Sequence, residues 1–327
     1  MIGKSVVVTG ANGFIGQHLC RKLAESGREV TACIRERADE AVFGDQSGFL
    51  KVFRLSSLGL EADLSPVLRN AEAVIHLAGR AHVMRETAKN PLSEFRVVNV
   101  RGTENVASIA ARSGVKRFIY LSSIKVNGEV TEGRAFQADD QPGYCDPYGQ
   151  SKWEAEERLQ EIAAGTTMEW AIVRPPLVYG PGVRGNFLAL MNWVFRRIPL
   201  PFGSLHNSRS LVSVYNLSDL LCLLVDHPGA ANRRFVVSDP EDISTPELVR
   251  RIAAALHRSP RILRCPKSAL EMAGTLLGQK AAVQRLCSSL VLDRRKTSEM
   301  LGWSAPSSLE WGLDRTAEWF LKRTTGQ

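Results

Sequence analysis

Over the first half of the chain, short apolar runs alternate with stretches of helical periodicity. Residues 5–9 (Ser-Val-Val-Val-Thr) are nearly continuously apolar, which suits a strand buried on both faces. Across 13–25, Phe14, Ile15, Leu19 and Leu23 share one helical face, and the pattern stops near Gly27. The same reading gives strands at 29–34, 73–78, 117–122 and 170–173, and helices at about 91–113 and 147–164. Strands and helices in alternation imply a parallel sheet covered on both faces, joined by right-handed crossovers.

The rhythm breaks after Pro175-Pro176. Residues 180–210 are rich in Pro, Gly and Arg, 216–226 are helical in pattern, and 234–238 strand-like. From about 240 to 327 the pattern is mostly helical, punctuated by Pro246, Pro260 and Pro266. The expected organisation is therefore a first domain of 1–179 plus about 211–239, and a smaller lobe of about 180–210 plus 240–327. A ligand cleft is expected between that lobe and the carboxyl ends of the strands.

Between the first strand and the first helix lies Thr9-Gly-Ala-Asn-Gly-Phe-Ile-Gly16. Glycine allows a tight turn and close approach of a dinucleotide pyrophosphate, and the helix start offers free N–H groups and a positive dipole end. At the end of the second strand an acidic residue would hold the adenosine ribose of NAD. Here Ile34 is followed by Arg35 and then Glu36. A guanidinium suits a 2′-phosphate, so NADP(H) is favoured over NAD(H); the other reading is a solvated Arg35 with Glu36 on the ribose.

Asp146-Pro147-Tyr148 has the form of an N-cap, an N1 proline and a first helical turn. Tyr148 and Lys152 then stand at i and i+4 on one helix face. A phenol titrates near pH ~10, and a neighbouring ammonium is expected to lower that value into the range of an acid/base catalyst. Ser123, at the end of the strand that closes on Leu121-Ser122-Ser123, fits a hydroxyl donor to the substrate oxygen, with Ser122 the fallback. Glycine turn and tyrosine–lysine couple together point to an oxidoreductase moving hydride and proton.

Charge and cysteine content narrow the partners. Net charge is +8, and residues 250–327 carry 14 Lys/Arg against 6 Asp/Glu, a surplus as large as that of the whole chain. The basic end reads either as a solvated face or as attraction for an anionic substrate such as a nucleotide diphosphate. No recognition motif accompanies it, so nucleic acid is not expected as a partner. No stretch has 18 uninterrupted apolar residues, and no signal-peptide pattern precedes residues 5–9; a membrane span is not expected, and a cytoplasmic location is. Cys20, Cys33, Cys145, Cys222, Cys265 and Cys287 lack C-x-x-C spacing, which predicts reduced, mostly buried thiols and no metal.

Taken together, Thr9–Gly16, His76-Leu-Ala-Gly79, Asn99-Val-Arg-Gly-Thr103, Leu121-Ser-Ser123, Tyr148-Gly-Gln-Ser-Lys152 and Arg174-Pro-Pro-Leu-Val-Tyr-Gly-Pro181 resemble the extended short-chain dehydrogenase/reductases, in particular nucleotide-sugar enzymes related to UDP-glucose 4-epimerase. The resemblance covers nearly the whole chain. It implies an α/β fold: a Rossmann-type doubly wound parallel sheet with a smaller, mostly helical substrate-binding lobe. It implies a cofactor site of Gly10, Asn12, Gly13, Phe14, Ile15, Gly16, Arg35, Leu58, Leu77, Ala78, Gly79, Asn99, Leu121, Tyr148, Lys152 and Pro175. Ser123, Tyr148 and Lys152 are its catalytic residues. A UDP-sugar is the implied substrate, held by Arg80, Ser123, Lys125, Asn186 and Arg209. His76 reads as a core histidine. Relatives often dimerise through helices corresponding to 91–113 and 148–164, so a homodimer is an expectation too.

Departures from the family pattern sharpen the reading. Ile124-Lys125 stands where sugar dehydratases carry Asp-Glu, which disfavours water elimination. Leu177 replaces an asparagine usual in epimerases, and Ser57 an aspartate near adenine, leaving Leu58 to pack on the ring. Residues 80–85 and 123–128 are similar to tracts of bacterial reductases of UDP-4-keto-6-deoxy-N-acetylhexosamines, which serve surface-polysaccharide synthesis. The leading expectation is thus an NADPH-dependent 4-ketoreductase, with the segment 125–146 as a substrate lid. The alternatives are a UDP-hexose or UDP-N-acetylhexosamine 4-epimerase with tightly bound NAD, and a non-catalytic dinucleotide-binding module.

Overall fold

The computed structural model describes residues 5–36, 38–40, 43, 49–56, 62–81, 90–276, 278 and 280–325. Seven parallel strands form the main sheet in the order β3-β2-β1-β4-β5-β6-β9. They are β1 (Val6–Thr9), β2 (Val30–Arg35), β3 (Leu50–Leu55), β4 (Ala73–His76), β5 (Arg117–Leu121), β6 (Glu169–Arg174) and β9 (Arg233–Val236). Val6 pairs with Val30 on one side and Ala73 on the other, so the strand order reverses about β1. That reversal is the switch point at which open α/β sheets bind ligands.

Alternation along β1 divides the core. Val6 and Val8 pack with Leu19 and Leu23 of α1 (Phe14–Glu25) and Leu217, Leu220 and Leu221 of α7 (Val214–Leu223). Val7 points to the opposite face, with Leu68 of α2 (Ser65–Leu68), Val106 and Ala110 of α4 (Gly102–Arg112), and Ala155 and Leu159 of α5 (Pro147–Ala164). This is the doubly wound α/β fold that the alternation predicts.

Another core is assembled from α6 (Gly185–Phe195), α8 (Thr245–Ala255), α9 (Lys267–Leu276), α10 (Lys280–Cys287) and α12 (Leu309–Thr325), around Phe187, Met191, Val249, Ile252, Leu313 and Phe320. Its edge is a small parallel ribbon of β7 (Leu177–Tyr179) and β8 (Leu211–Ser213) that the sequence pattern did not reveal. α11 (Arg295–Leu301) packs back towards β9. Among the described residues no helix is long and apolar enough to cross a membrane. All six cysteines are free; Cys20, Cys33 and Cys287 are buried, Cys145 is exposed, and the other two lie between.

Two segments differ from expectation. The single helix expected over 91–113 is α3 (Pro91–Phe95), a π-helical stretch Arg96–Arg101, and then α4. The wider π turn directs Asn99 into the interior. The segment 125–146, expected as a lid, is tied to residues 289–291: Thr131 N–H donates to Ser289 and Phe136 N–H to Val291, while Ala138 is buried.

Candidate active site

The turn after β1 is shaped by what its glycines exclude. Gly10 has φ +69°, and a Cβ there would lie 2.8 Å from Ala78 N at the end of β4. A Cβ on Gly16 would lie 2.4 Å from the Gly10 carbonyl oxygen. Both glycines are therefore required by packing. Gly13 differs: a Cβ there meets only the Gly10 oxygen, at 3.1 Å. It is the exposed N-cap of α1, with no side-chain cap and no acidic residue in the first turn. Its uncompensated N–H groups and dipole end fit a phosphate. Asn12 is fixed through its carbonyl by Gln17 Nε2 at 2.9 Å. Phe14 packs beneath Gly180 and Gly182, seating the 180–182 turn, and Ile15 is half-buried.

The strand end after β4 supplies the adjoining wall. Leu77 N–H donates to the Thr9 carbonyl, and Ala78 N–H approaches Thr9 Oγ1 at 3.5 Å. Gly79 is exposed, and a Cβ there would stand 3.1 Å from Asn99 Oδ1 and 3.3 Å from Lys152 Nζ. Asn99 accepts from Arg80 N–H at 2.8 Å and donates to Ser151 Oγ at 2.9 Å. Gly79 thus lies between the Thr9–Gly16 turn and Lys152 of α5 without a side chain between them. The cradle fits a dinucleotide. Arg35 and Glu36 are both exposed at the end of β2. Arg54 on β3 donates to the carbonyls of Glu36 and Ala38, holding the turn that follows. Leu58 lies outside the described residues.

Asp146 caps α5 by accepting from Gly149 N–H at 2.7 Å, and Pro147 fills N1. This sets Tyr148 and Lys152 on the face turned towards β5. Part of Tyr148 reaches solvent, while its hydroxyl end is crowded and faces Ser123; its ring tilts against Phe95 at 5.8 Å. Burial pushes the phenol up to about 12, with the neighbouring Ser123 hydroxyl opposing. The expected lowering is therefore not a property of the protein alone, because desolvation outweighs the attractions around the hydroxyl. Lys152 is buried, donates to the Leu121 carbonyl at 2.8 Å, and lies 4.6 Å over the Tyr120 ring. Burial pulls its ammonium down to about 7, and Glu156 opposes. Pro175 is buried, and its carbonyl accepts from Ile124 N–H at 3.0 Å, which fixes the residue after Ser123.

The expected substrate residues are scattered. Arg80 lies 5.4 Å over the Phe95 ring and 3.7 Å from Glu94, and Phe95 in turn packs on Tyr148. Lys125 is held between Glu129, at 2.6 Å, and Asp146. Arg209 gives its guanidinium to the carbonyls of Arg285 and Ser288, the latter at 3.0 Å. Asn186 is exposed on the first turn of α6. Its neighbour Phe187 is committed to the core, stacked on Tyr179. No hydrogen bond joins Asn186 to Arg209 among the described residues. A cleft of about 900 Å³ opens beside Arg209, lined by Thr131, Glu132, His206, Asn207, Lys267 and Ser288 among others.

Sequence reasoning missed Glu156 and Arg174, a fully buried ion pair with Arg174 Nη2 to Glu156 Oε2 at 2.6 Å. The available signals were a charge at the end of an otherwise buried strand and an acid one turn beyond Lys152. Phe95, Asn127 and Ser151 were also missed; nothing local marks them.

Comparisons with known proteins agree with this geometry. The family model described as "NAD dependent epimerase/dehydratase family" matches residues 6–238. A Vibrio cholerae protein named UDP-glucose 4-epimerase is 43% identical over 322 residues, 98% of this chain and 96% of that one. An Escherichia coli O157:H7 protein, N-acetyl-alpha-D-glucosaminyl-diphospho-ditrans,octacis-undecaprenol 4-epimerase, is 26% identical over 95% of this chain and 94% of its own. Among solved structures, MoeE5 in complex with UDP-glucuronic acid and NAD superposes with a TM-score of 0.78 at 26% identity, covering 98% of this chain and 99% of that one. With the glycine turn, the Gly79 junction and the Ser123–Tyr148–Lys152 cluster assembled on a sheet of this order, the chain is an enzyme that belongs to the NAD dependent epimerase/dehydratase family.

Proposed function

We propose that the protein is an NAD-dependent 4-epimerase of a UDP-hexose or UDP-N-acetylhexosamine. The carrying observation is the meeting of Ser123, Tyr148 and Lys152 at the carboxyl end of β5, beside Gly79 and the glycine turn. The named epimerase relatives, and the NAD named with MoeE5, support this reading over the NADPH-dependent 4-ketoreductase expected from the sequence.

Gly13, Phe14 and Ile15 would receive the pyrophosphate, and Gly79, Asn99, Lys152 and Pro175 would line the nicotinamide half. A nicotinamide dinucleotide held there supplies reversible hydride exchange at sugar C4. Tyr148 accepts the proton of the C4 hydroxyl as that carbon is oxidised and returns it on reduction. Ser123 hydrogen-bonds the same oxygen. Lys152, anchored on the Leu121 carbonyl one turn along α5, supplies the positive charge that favours phenolate. Rotation of the keto-sugar between the two steps inverts C4. The UDP half falls to the lobe of 180–210 and 240–327, with Asn186 and Arg209 as candidate ligands. Exposed Val97 and Val98 beside α4 support a homodimer through this helix and α5.

A second reading, 4-keto reduction with NADPH, rests on Arg35 at the exposed end of β2. Absorbance at ~340 nm, the nicotinamide band, separates the two. Conversion of UDP-glucose to UDP-galactose without net absorbance change supports epimerisation. Stoichiometric NADPH loss on a UDP-4-keto sugar, with no epimerisation, overturns it.

A further inference from the structure

We propose that Glu156 and Arg174 are positioning residues of the proton-transfer site, acting through a buried charge chain that locks helix α5, the strand end carrying Ser123 and the 125–146 segment into one register. The proposal deepens the reading of Tyr148 and Lys152 as the proton-transfer pair and rests on it.

Glu156 lies one turn beyond Lys152 and is fully buried. Its Oε1 accepts from Ser122 Oγ at 2.5 Å, the residue next to Ser123, and from Arg174 Nε at 2.9 Å. Its Oε2 accepts from Arg174 Nη2 at 2.6 Å and from Arg234 Nε at 3.2 Å. The other arm of Arg174 reaches the strapped segment: Nη1 donates to Asn127 Oδ1 at 2.9 Å and to the Ala138 carbonyl at 3.1 Å. Trp153 lies beneath both Arg174 and Arg234. One carboxylate and one guanidinium therefore tie together helix α5, the Ser122 end of β5, the end of β6 and the 125–146 segment. An ion pair this deep is weak evidence for stability, since apolar residues of similar volume would often serve as well. A planar fork that satisfies four acceptors is, by contrast, a device for fixing geometry.

The pair also faces Lys152 electrostatically. His76 on β4, Tyr120 on β5, and Tyr148 and Glu156 on α5 are the titratable groups around the ammonium. Burial holds His76 neutral and both phenols un-ionised, which leaves Glu156 as the negative charge opposing deprotonation of Lys152.

The test uses the full-length protein with NAD and the variants Glu156→Gln, Arg174→Lys and the double Glu156→Met/Arg174→Met. Steady-state epimerisation of UDP-glucose is followed against pH, and Lys152 is titrated by NMR in selectively labelled protein without substrate. In Glu156→Gln, kcat should fall by about 10²-fold with KM nearly unchanged, as expected for misplaced reacting groups, and Lys152 should deprotonate at lower pH. Its alkaline activity limb should move the same way. If Glu156→Gln does not fold, the double variant decides, because it keeps volume while removing the charges. A folded double variant, or a folded Glu156→Gln, with wild-type kcat and Lys152 titration overturns the proposal. Wild-type protein inactive on every UDP-hexose would instead sink the assigned reaction, while the Lys152 titration would still test the coupling.

Discussion

Lys152 Nζ donates to the carbonyl of Leu121 at 2.8 Å, joining helix α5 to the last residue of β5. Ser122 and Ser123 follow Leu121 directly, and Tyr148 precedes Lys152 by one turn. That hydrogen bond ties the strand end of the hydroxyl donor to the helix of the phenol, and a glycine at position 79 keeps the space above Lys152 free of a side chain.

Tyr148→Phe removes the phenolic proton but keeps the ring against Phe95. Its kcat should drop by about 10² to 10⁴, the usual worth of a general acid/base. The melting temperature and NAD affinity should stay close to those of wild type. Measured turnover of UDP-glucose within a factor of a few of wild type would remove Tyr148 from the chemistry.

Two buried bases make stability depend on pH in the same direction. Burial holds His76 at about 3 against an ordinary 6.5. Between those values the unfolded chain binds the extra proton, so the contribution of neutral His76 is complete above pH 6.5 and is lost as pH falls towards 3. Lys152 is held at about 7 against 10.5, so its cost is fully present below pH 7 and fades as pH rises towards 10.5. Lys152→Met should therefore raise the melting temperature at neutral and acid pH, with the gap closing at high pH. His76→Gln should flatten the acid side of the profile. Thermal melts across pH check both, and a constant gap for Lys152→Met would show that its ionisation is not coupled to folding.

What the sequence makes legible is what depends on neighbours a few residues apart. The β1–turn–α1 unit, the Asp146 cap and the i, i+4 spacing of Tyr148 and Lys152 are written locally. The π turn at 96–101 is not, because no propensity distinguishes it from the helix around it; its cause is the interior position of Asn99 between Arg80 and Ser151. The β7–β8 ribbon hides in strands of three residues, too short for alternation to register. The phenol's high pKa escaped because desolvation depends on packing from Phe95 and β5, which no spacing reveals. Arg35 was legible as a residue but not as a cofactor preference, since an exposed guanidinium at a strand end serves several ends.

Arg209 and Asn186 should separate structural from binding roles. The Arg209 guanidinium holds the carbonyls of Arg285 and Ser288, so Arg209→Ala should cost about 1–3 kcal/mol in denaturant unfolding. It should also raise KM for UDP-glucose by roughly tenfold if the group pairs with the diphosphate. Asn186→Ala, on an exposed side chain, should leave stability unchanged and raise KM alone. An Arg209→Ala enzyme that is less stable but has wild-type KM would make that arginine a tether only.

The glycines of the turn should respond differently to the same added methyl. In Gly16→Ala the new Cβ meets the carbonyl oxygens of Gly10 and Ala11 at 2.4 and 2.5 Å, both backbone atoms that cannot swing away. Overpacking of this kind costs about 1–3 kcal/mol, so Gly16→Ala should unfold at clearly lower denaturant. In Gly13→Ala the methyl meets one oxygen at 3.1 Å and otherwise projects over the N-terminus of α1. Its stability should change little. NAD affinity, read by nucleotide-induced thermal shift, should fall by at least about tenfold, because the methyl occupies the approach to the free N–H groups. Equal loss of stability in both variants, with NAD binding intact in Gly13→Ala, would mean that the dinucleotide does not approach α1 from this side.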